Sequence, residues 1–322
     1  MDQLQREDIL RIARHSNISQ QALSEVLNKY VYAGRKDWYK FLHIFLISLG
    51  VGFSVAGIIF FFAYNWADLN KFVKLGIIEL LIVSSVCIAL FTKLNQLVKN
   101  VLITGASVLV GVLFAVFGQI YQTGANAYDF FLGWTMSISL WVFVSAFPPL
   151  WLVYLILINT TINLYAEQVA NHWSTVFLLL LLFCVNATSY IISLSIKKVK
   201  RHSKIPIWFN NSLALAAIVP ATLGSSIGIF SEYSNEFLAI ISITTIAFGL
   251  GIYFGYQFKS GFLLSIIPFS IIIICSSLFI KISDNEGMFL FTSLFIIVSV
   301  TLVIKNLIHL YKKWNHGQTA TN

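Results

Sequence analysis

Residues 41–64 read FLHIFLISLGVGFSVAGIIFFFAY, a run without lysine, arginine, aspartate or glutamate. A helix needs about 20 predominantly apolar residues to cross the hydrocarbon core of a bilayer, so this run is long enough to span it. The whole chain has the same character: 58% of its 322 residues are hydrophobic and 11% are charged, against about 25% charged residues in an average soluble domain. These values exclude an ordinary soluble protein, a disordered chain and a disulfide scaffold. They predict an all-α, polytopic transmembrane helical bundle.

Nine further apolar runs follow the first. They lie at 73–91, 99–121, 129–147, 149–166, 174–196, 207–230, 236–257, 261–281 and 287–311. The sequence therefore predicts ten spans within a transmembrane domain at 41–311, followed by a short cytoplasmic tail at 312–322. The fourth and fifth spans are joined only by Pro148-Pro149, and we expect a tight turn there because proline has no backbone N–H to donate.

The first 40 residues are mostly polar and precede the spans. Apolar residues recur at helical spacing around Ile9 and again from Ala22 to Tyr30, which predicts two short amphipathic helices. Ser19 is the expected N-cap of the second, since its hydroxyl can accept a hydrogen bond from a first-turn N–H. We expect residues 1–40 to form a small cytoplasmic helical hairpin. A solvated tail lying on the membrane is the alternative.

The basic residues predict the orientation of the spans. With the N-terminus inside, all but three of the 21 lysines and arginines fall in cytoplasmic segments. The three on the outer side are Lys71, Lys74 and Lys281. Such an excess of positive charge on one side sets membrane orientation. It also accounts for the net charge of +8 without a nucleic-acid partner. The predicted location is a cytoplasmic membrane, with the lipid bilayer as the surrounding partner.

Polar residues concentrate near the predicted outer ends of the first four spans. We single out ten as candidate ligand-binding residues of an outward-facing pocket: Asn65, Trp66, Asp68, Lys74, Glu79, Gln119, Tyr121, Gln122, Asn126 and Asp129. Glu79 leads this set, because a carboxylate inside a span is costly unless it is paired or hydrated. No lysine lies three or four residues from it, so we expect its partner on another span, for example an amide of the third.

This pocket would bind or transport a polar or amphipathic solute. Glu79 and Asp68 would supply charge. Asn65, Gln119 and Gln122 would supply hydrogen bonds, and Trp66 and Tyr121 would supply stacking surfaces. The opposing interpretation is that these side chains only hold helices together, as polar groups do in membranes. The chain would then be a non-transporting subunit or scaffold acting with a partner membrane protein. A membrane-embedded hydrolase or transferase using Glu79 or Asp129 is a third, less favoured hypothesis.

Other signals are weaker. Asn159 and Asn163 share one face of the fifth span, where a packing role is favoured. Pro220 and Pro268 interrupt two later spans, as kinks or as the broken helices of transporters. The glycine pairs 224/228 and 251/255 permit close helix approach. The sequence contains no Walker A loop, HExxH pair, GxSxG elbow or CxxC, so no metal or cofactor is predicted and an enzyme is disfavoured.

Three short motifs resemble a known family. They are Ala63-Tyr64-Asn65-Trp66, then Gly118-Gln119-Ile120-Tyr121-Gln122 with Trp134 following, and the lead-in Ile18-Ser19-Gln20-Gln21-Ala22. Over about residues 15–165 the chain resembles a bacterial multipass membrane family, domain-of-unknown-function family 2157. The resemblance implies a protein of the bacterial inner membrane with no established activity. It also implies, as a candidate partner, a second membrane protein of the GDYXXLXY type, which sometimes neighbours members of the family.

Overall fold

The computed structural model describes residues 13, 19–30, 34–64, 70–121, 124–199, 205–231, 234–282 and 286–317. Within these ranges the regular structure is entirely helical, which confirms the all-α prediction. The helices are α1 (Gln20–Tyr30), α2 (Arg35–Tyr64), α3 (Lys71–Phe91), α4 (Gln96–Tyr121), α5 (Ala127–Ser145), α6 (Pro148–Gln168), α7 (Thr175–Val199), α8 (Ile207–Phe230), α9 (Asn235–Gln257), α10 (Gly261–Ile282) and α11 (Glu286–Gly317).

Ten of the described helices, α2 to α11, are long and apolar enough to cross a membrane, which confirms the predicted number of spans. Most helix ends lie within three residues of their predicted positions. The two exceptions are the outermost spans: α2 begins at Arg35 and α11 continues to Gly317. Both extensions are polar. The apolar runs therefore mark the part of each helix that can lie in the bilayer and not its full length. At the start of α2, the backbone N–H of Gly34 donates to Oδ2 of Asp37 at 3.0 Å and closes the first turn.

The N-terminal segment is described from Ser19 onward, apart from Ala13. Ser19 caps α1 as predicted, because the backbone N–H of Ala22 donates to its hydroxyl oxygen at 3.3 Å. Among the described side chains of this helix, Leu27 is buried, while Leu23 and Ala22 are half-buried. The first of the two predicted N-terminal helices lies outside the described residues.

The chain forms two compact units, residues 1–123 and 124–322. In the first unit, α4 packs against both α2 and α3. The buried pair Ile78 and Val116 forms the centre of the α3–α4 contact. The α2–α4 contact is close at Gly105, where an added Cβ would lie 2.9 Å from Cγ1 of Val51. The third span therefore organises this unit.

In the second unit, α8 is the central helix and packs against α7, α9 and α10. Its small side chains Ala214, Ala217 and Ala221 are buried, and they allow bulky neighbours to reach it. Phe183 of α7 and Phe248 of α9 belong to the core cluster around these alanines. Such small residues are how membrane helices approach closely without a hydrophobic driving force.

The two glycine pairs lie at close helix contacts, as their spacing indicated. Each glycine of the 224/228 pair faces α9, and an added Cβ would overlap Ile240 at Gly224 and Phe237 at Gly228. The 251/255 pair faces α10, where an added Cβ on Gly251 would lie 2.5 Å from Cδ1 of Ile267. Alanine at any of these four positions would place its Cβ less than 3.0 Å from a side chain of the neighbouring helix.

Side-chain hydrogen bonds connect successive helices of the second unit. The hydroxyls of Ser139 on α5 and Tyr154 on α6 lie 2.9 Å apart. Asn159 on α6 bonds to Asn186 on α7. Oγ of Ser193 on α7 donates to Oδ1 of Asn210 on α8 at 2.7 Å, and both residues are buried. Each pair provides hydrogen bonds to polar groups that have no water to bond to inside the hydrocarbon.

The link between α5 and α6 lies two residues before the expected turn. Only Ala146 and Phe147 separate the helices, and Ala146 adopts a left-handed φ of 46°. Pro148 and Pro149 are the first two residues of α6 rather than the turn itself. Proline is accommodated there because the first N–H groups of a helix have no intrahelical acceptor.

Candidate functional site

Four of the ten predicted binding residues, Asn65, Trp66, Asp68 and Gln122, lie outside the described residues. Four others, Lys74, Glu79, Gln119 and Tyr121, belong to the first unit, and Asn126 and Asp129 to the second. The predicted pocket in spans one to four therefore stays a prediction.

Lys74 and Glu79 occupy different faces of α3. Lys74 is 6% exposed and lies one helical turn before Ile78, on the face that packs against α4. Glu79 is exposed, as is the neighbouring Leu80. Gln119, the described amide near the end of the third span, is also exposed. Within the described residues no hydrogen bond joins this amide to Glu79, and the partner that we expect on another span stays a prediction.

The start of α3 lies beside the end of α4. Nζ of Lys71 is 5.7 Å from the ring centroid of Tyr121, within the distance at which a cation is attracted to an aromatic face. The Tyr121 ring also contacts Phe117, with 4.6 Å between centroids. Tyr121 is 42% exposed. It thus presents a partly accessible aromatic surface next to a positive charge.

Asn126 and Asp129 form the beginning of α5. The backbone N–H of Asn126 donates to Oδ2 of Asp129 at 3.1 Å, the back-bond of a capping box. Both side chains are exposed. Asp129 therefore has a structural role, because its charge also stabilises the N-terminal end of a helix dipole.

The chain offers no metal centre within the described residues, where no group of three or more His, Cys, Asp or Glu side chains converges. The three cysteines are free, with Cys87 and Cys184 exposed and Cys275 half-buried.

The second unit contains a groove between α6, α7 and α8, with a cavity of about 510 Å³. This volume lies in the range of roughly 300–1,000 Å³ that is usual for small-molecule sites. Its walls are mostly apolar: Leu179, Leu182, Leu215, Ala216, Val219 and Leu223. Leu215, Val219 and Leu223 are 41%, 45% and 48% exposed, so the groove is open along the α8 side. A solute could enter it laterally from the hydrocarbon.

A pair of amides lies in this groove. Nδ2 of Asn186 donates to Oδ1 of Asn159 at 2.7 Å, and Nδ2 of Asn159 donates to Oδ1 of Asn186 at 3.1 Å. Each Nδ2 also donates to the backbone carbonyl four residues earlier, Leu155 or Leu182, at 2.7 Å. Asn186 is 2% exposed. Both residues lie near the middle of their helices, at a depth where polar groups are costly and typically functional or structural.

Two further features of α8 face the groove. Pro220 lines it and has no N–H to donate to the carbonyl of Ala216, another lining residue. Ser212 also lines the groove, and its hydroxyl donates to the carbonyl of Trp208 at 3.0 Å. The groove thus combines apolar walls with a few polar atoms, the usual composition of a small-molecule site.

The sequence pointed only partly to this groove. Asn159 was singled out with a packing role, and Pro220 as an interruption of its span. Asn186 was missed, although an amide in the middle of the 174–196 apolar run is the same signal that identified Asn159. What the sequence could not show is that the two amides meet, because nothing in either span specifies which face packs against which.

Residues 10–151 match the model of a family described as predicted membrane protein, domain-of-unknown-function family 2157. This confirms the resemblance read from the motifs. No curated protein and no solved structure matches the chain. The predicted pocket residues fall inside the matched segment, whereas every residue lining the groove lies after it.

Proposed function

We propose that this multipass membrane protein binds an amphipathic solute, which enters the groove between α6, α7 and α8 from the bilayer. The observation that carries the proposal is the amide pair Asn159–Asn186 on the wall of an open cavity of about 510 Å³. If the amide pair served helix packing alone, leucine side chains of the neighbouring helix could cover it completely. Here the neighbouring α8 side chains remain exposed and leave room for an apolar tail.

The apolar walls favour an amphipathic solute over a purely polar one. A tail lying along Leu179, Leu182 and Val219 would gain roughly 25 cal/mol for each Å² of apolar surface removed from water. A solute already dissolved in the bilayer gains much less, so selectivity must come from the polar atoms. The groove therefore suits a lipid-like molecule with a small polar head.

Photocrosslinking tests this proposal. A bilayer-soluble probe with a photoreactive group on its alkyl tail is added to the protein in nanodiscs, and the modified residues are identified by mass spectrometry. We expect modification of α7 and α8 residues that line the groove. Val219→Trp should fill the open side of the groove and abolish this modification.

The matched control is Ile243→Trp on α9. Ile243 is 41% exposed, close to the 45% of Val219, but it does not line the groove. Ile243→Trp should leave the modification unchanged. Equal modification in wild type and Val219→Trp would refute binding in the groove.

The predicted pocket of spans one to four remains a second proposed location for solute binding. Its described members in the first unit are Lys74, Glu79, Gln119 and Tyr121. The contact between Lys71 and the Tyr121 ring supports it, because that contact places a cation and an aromatic face at the same end of α3 and α4. Transport of the solute would require that such a site open to one side of the membrane and then to the other.

One observation favours the second candidate function, a membrane subunit that acts with a partner. Glu79 is exposed on a span whose other charged residues, Lys71 and Lys74, lie in its first turn, and a carboxylate facing hydrocarbon is unfavourable. A polar residue of a second membrane protein, which the family resemblance implies as a neighbour, would relieve this cost. Crosslinking from Leu80→Cys, whose side chain is 68% exposed next to Glu79, tests it. A crosslink to a second membrane protein supports this function, and its absence in native membranes argues against it.

A further inference from the structure

The hydrogen-bonding groups of the groove between α6, α7 and α8 are of one kind. The orientation of both amides is fixed, because each Nδ2 bonds to a backbone carbonyl, which can only accept. Each amide nitrogen has two hydrogens, and each makes two hydrogen bonds. The donors of Asn159 and Asn186 are therefore fully used.

The acceptors are not fully used. An amide oxygen can accept two hydrogen bonds, and Oδ1 of Asn159 and Oδ1 of Asn186 each accept one from the other amide. The Ser212 hydroxyl has given its hydrogen to Trp208 and can only accept in this arrangement. The carbonyl of Ala216 lacks its helical donor at Pro220. Four oxygen atoms on residues that line the groove thus have unused acceptor capacity.

The groove also carries no charge. Its ten lining residues, all within the described part of the chain, are apolar, amide, hydroxyl or proline. An anionic head would meet acceptor lone pairs and find no donor. An ammonium head would lose its hydration without a carboxylate to replace it, which is costly in a low-dielectric site. A neutral head that donates hydrogen bonds avoids both penalties.

We infer that the groove selects a neutral amphiphile whose head is a hydroxyl group, such as a long-chain alcohol or a monoacylglycerol. This rests on the proposed function, binding in the groove, and adds the chemical class of the solute. The hydroxyl donates its one hydrogen to an amide oxygen of the Asn159–Asn186 pair, and the tail lies along the leucines of α7 and α8.

Competition against the photoreactive alkyl probe tests the inference. The competitors are a long-chain alcohol, its methyl ether and the carboxylate of equal chain length, each added to the protein in nanodiscs. The ether keeps the shape and neutrality of the alcohol but cannot donate. We expect the alcohol to displace the probe at concentrations about tenfold lower than the ether or the carboxylate, the difference that one hydrogen bond makes.

The double variant Asn159→Leu/Asn186→Leu assigns the preference to the amides. It should still bind the probe but should no longer distinguish alcohol from ether. Ser193→Ala removes a buried hydroxyl that bonds to Asn210 outside the groove, and it should keep the preference. Ser212→Ala leaves the amide pair intact and should also keep the preference. The comparison of alcohol with ether in the wild type tests the inference even if the double variant does not fold.

The outcomes separate the two proposals. Equal displacement by alcohol, ether and carboxylate would overturn the hydroxyl preference while leaving the groove as a binding site. A preference that persists in the double variant would also overturn it. No modification of groove residues by the probe, or none that Val219→Trp removes, would overturn binding in the groove itself.

Discussion

Asn159 and Asn186 exchange two hydrogen bonds between their side-chain amides, with Nδ2 to Oδ1 distances of 3.1 and 2.7 Å. The two residues are 27 positions apart and belong to adjacent spans. Neither amide is satisfied by its own helix alone. The pair therefore links α6 to α7 at the depth where water is least available to replace it.

The energetics of this pair predict a non-additive mutant cycle. Asn186→Leu leaves the Asn159 amide without its partner, so we expect a loss of about 1–3 kcal/mol in stability. The double variant Asn159→Leu/Asn186→Leu removes both polar groups and should be less destabilised than the single one. Unfolding in mild detergent, followed by circular dichroism, measures both.

Asn163→Leu is the control for this cycle. Nδ2 of Asn163 bonds to Oε1 of Glu167 on the same helix at 3.2 Å, so its loss should change stability by less than about 0.5 kcal/mol. Strictly additive losses at 159 and 186 would show that the two amides are not energetically coupled.

Gly224→Ala should destabilise the contact between α8 and α9. The added Cβ would overlap Ile240 and lie 3.0 Å from Cβ of Leu179, so two neighbouring helices would have to move. Overpacking of this kind costs about 1–3 kcal/mol. Gly249→Ala is the control, since nothing lies within 4 Å of the added Cβ, and alanine favours the helix by up to about 1 kcal/mol. Equal melting temperatures for both variants would contradict the close approach.

Glu79→Gln tests the pocket predicted in spans one to four. Since Glu79 is exposed on an apolar span, we expect the variant to fold with equal or greater stability. A polar solute bound by this pocket raises the melting temperature of the wild type by mass action and should not raise that of the variant. Glu25→Gln on α1 is the matched control. An identical solute-dependent shift in Glu79→Gln and wild type would remove Glu79 from the site.

The predicted orientation is testable by labelling in a chain freed of its three cysteines. Asn171→Cys, in the connection between α6 and α7, should react with a membrane-impermeant maleimide on intact cells. Leu94→Cys, between α3 and α4, should react only after permeabilisation, because Lys93 and Lys99 predict a cytoplasmic location. The reverse pattern would invert the topology.

The spans could be predicted because each one is a property of a single stretch of sequence. The length and composition of the 207–230 run identified α8 without reference to any other residue. The Ser19 cap was predictable for the same reason, since its hydrogen bond lies within one helical turn. Local chemistry was sufficient for these elements.

The candidate site depends on contacts between helices, and these contacts are harder to predict from the sequence. Glu79 was correctly placed within a span, but its face is set by the packing of Ile78 against Val116 on another helix. Asn186 was not singled out, because its significance lies in meeting Asn159. In an apolar span nearly every face could be buried, so periodicity does not select the one that is.

The two-residue link at Ala146 and Phe147 has a consequence for biosynthesis. The helices it joins, α5 and α6, have the lowest mean hydropathy of the ten spans, 1.3 and 1.4, whereas the other eight have 1.9 or more. In the predicted orientation this link lies on the cytoplasmic side, and two residues are too few to let the ends of the two helices separate. We therefore expect α5 and α6 to pair as soon as α6 has entered the bilayer, so that each weakly apolar helix is stabilised by the other. The contact between the Ser139 and Tyr154 hydroxyls, formed within that hairpin, gives the Tyr154 hydroxyl a hydrogen-bonding partner on the neighbouring helix.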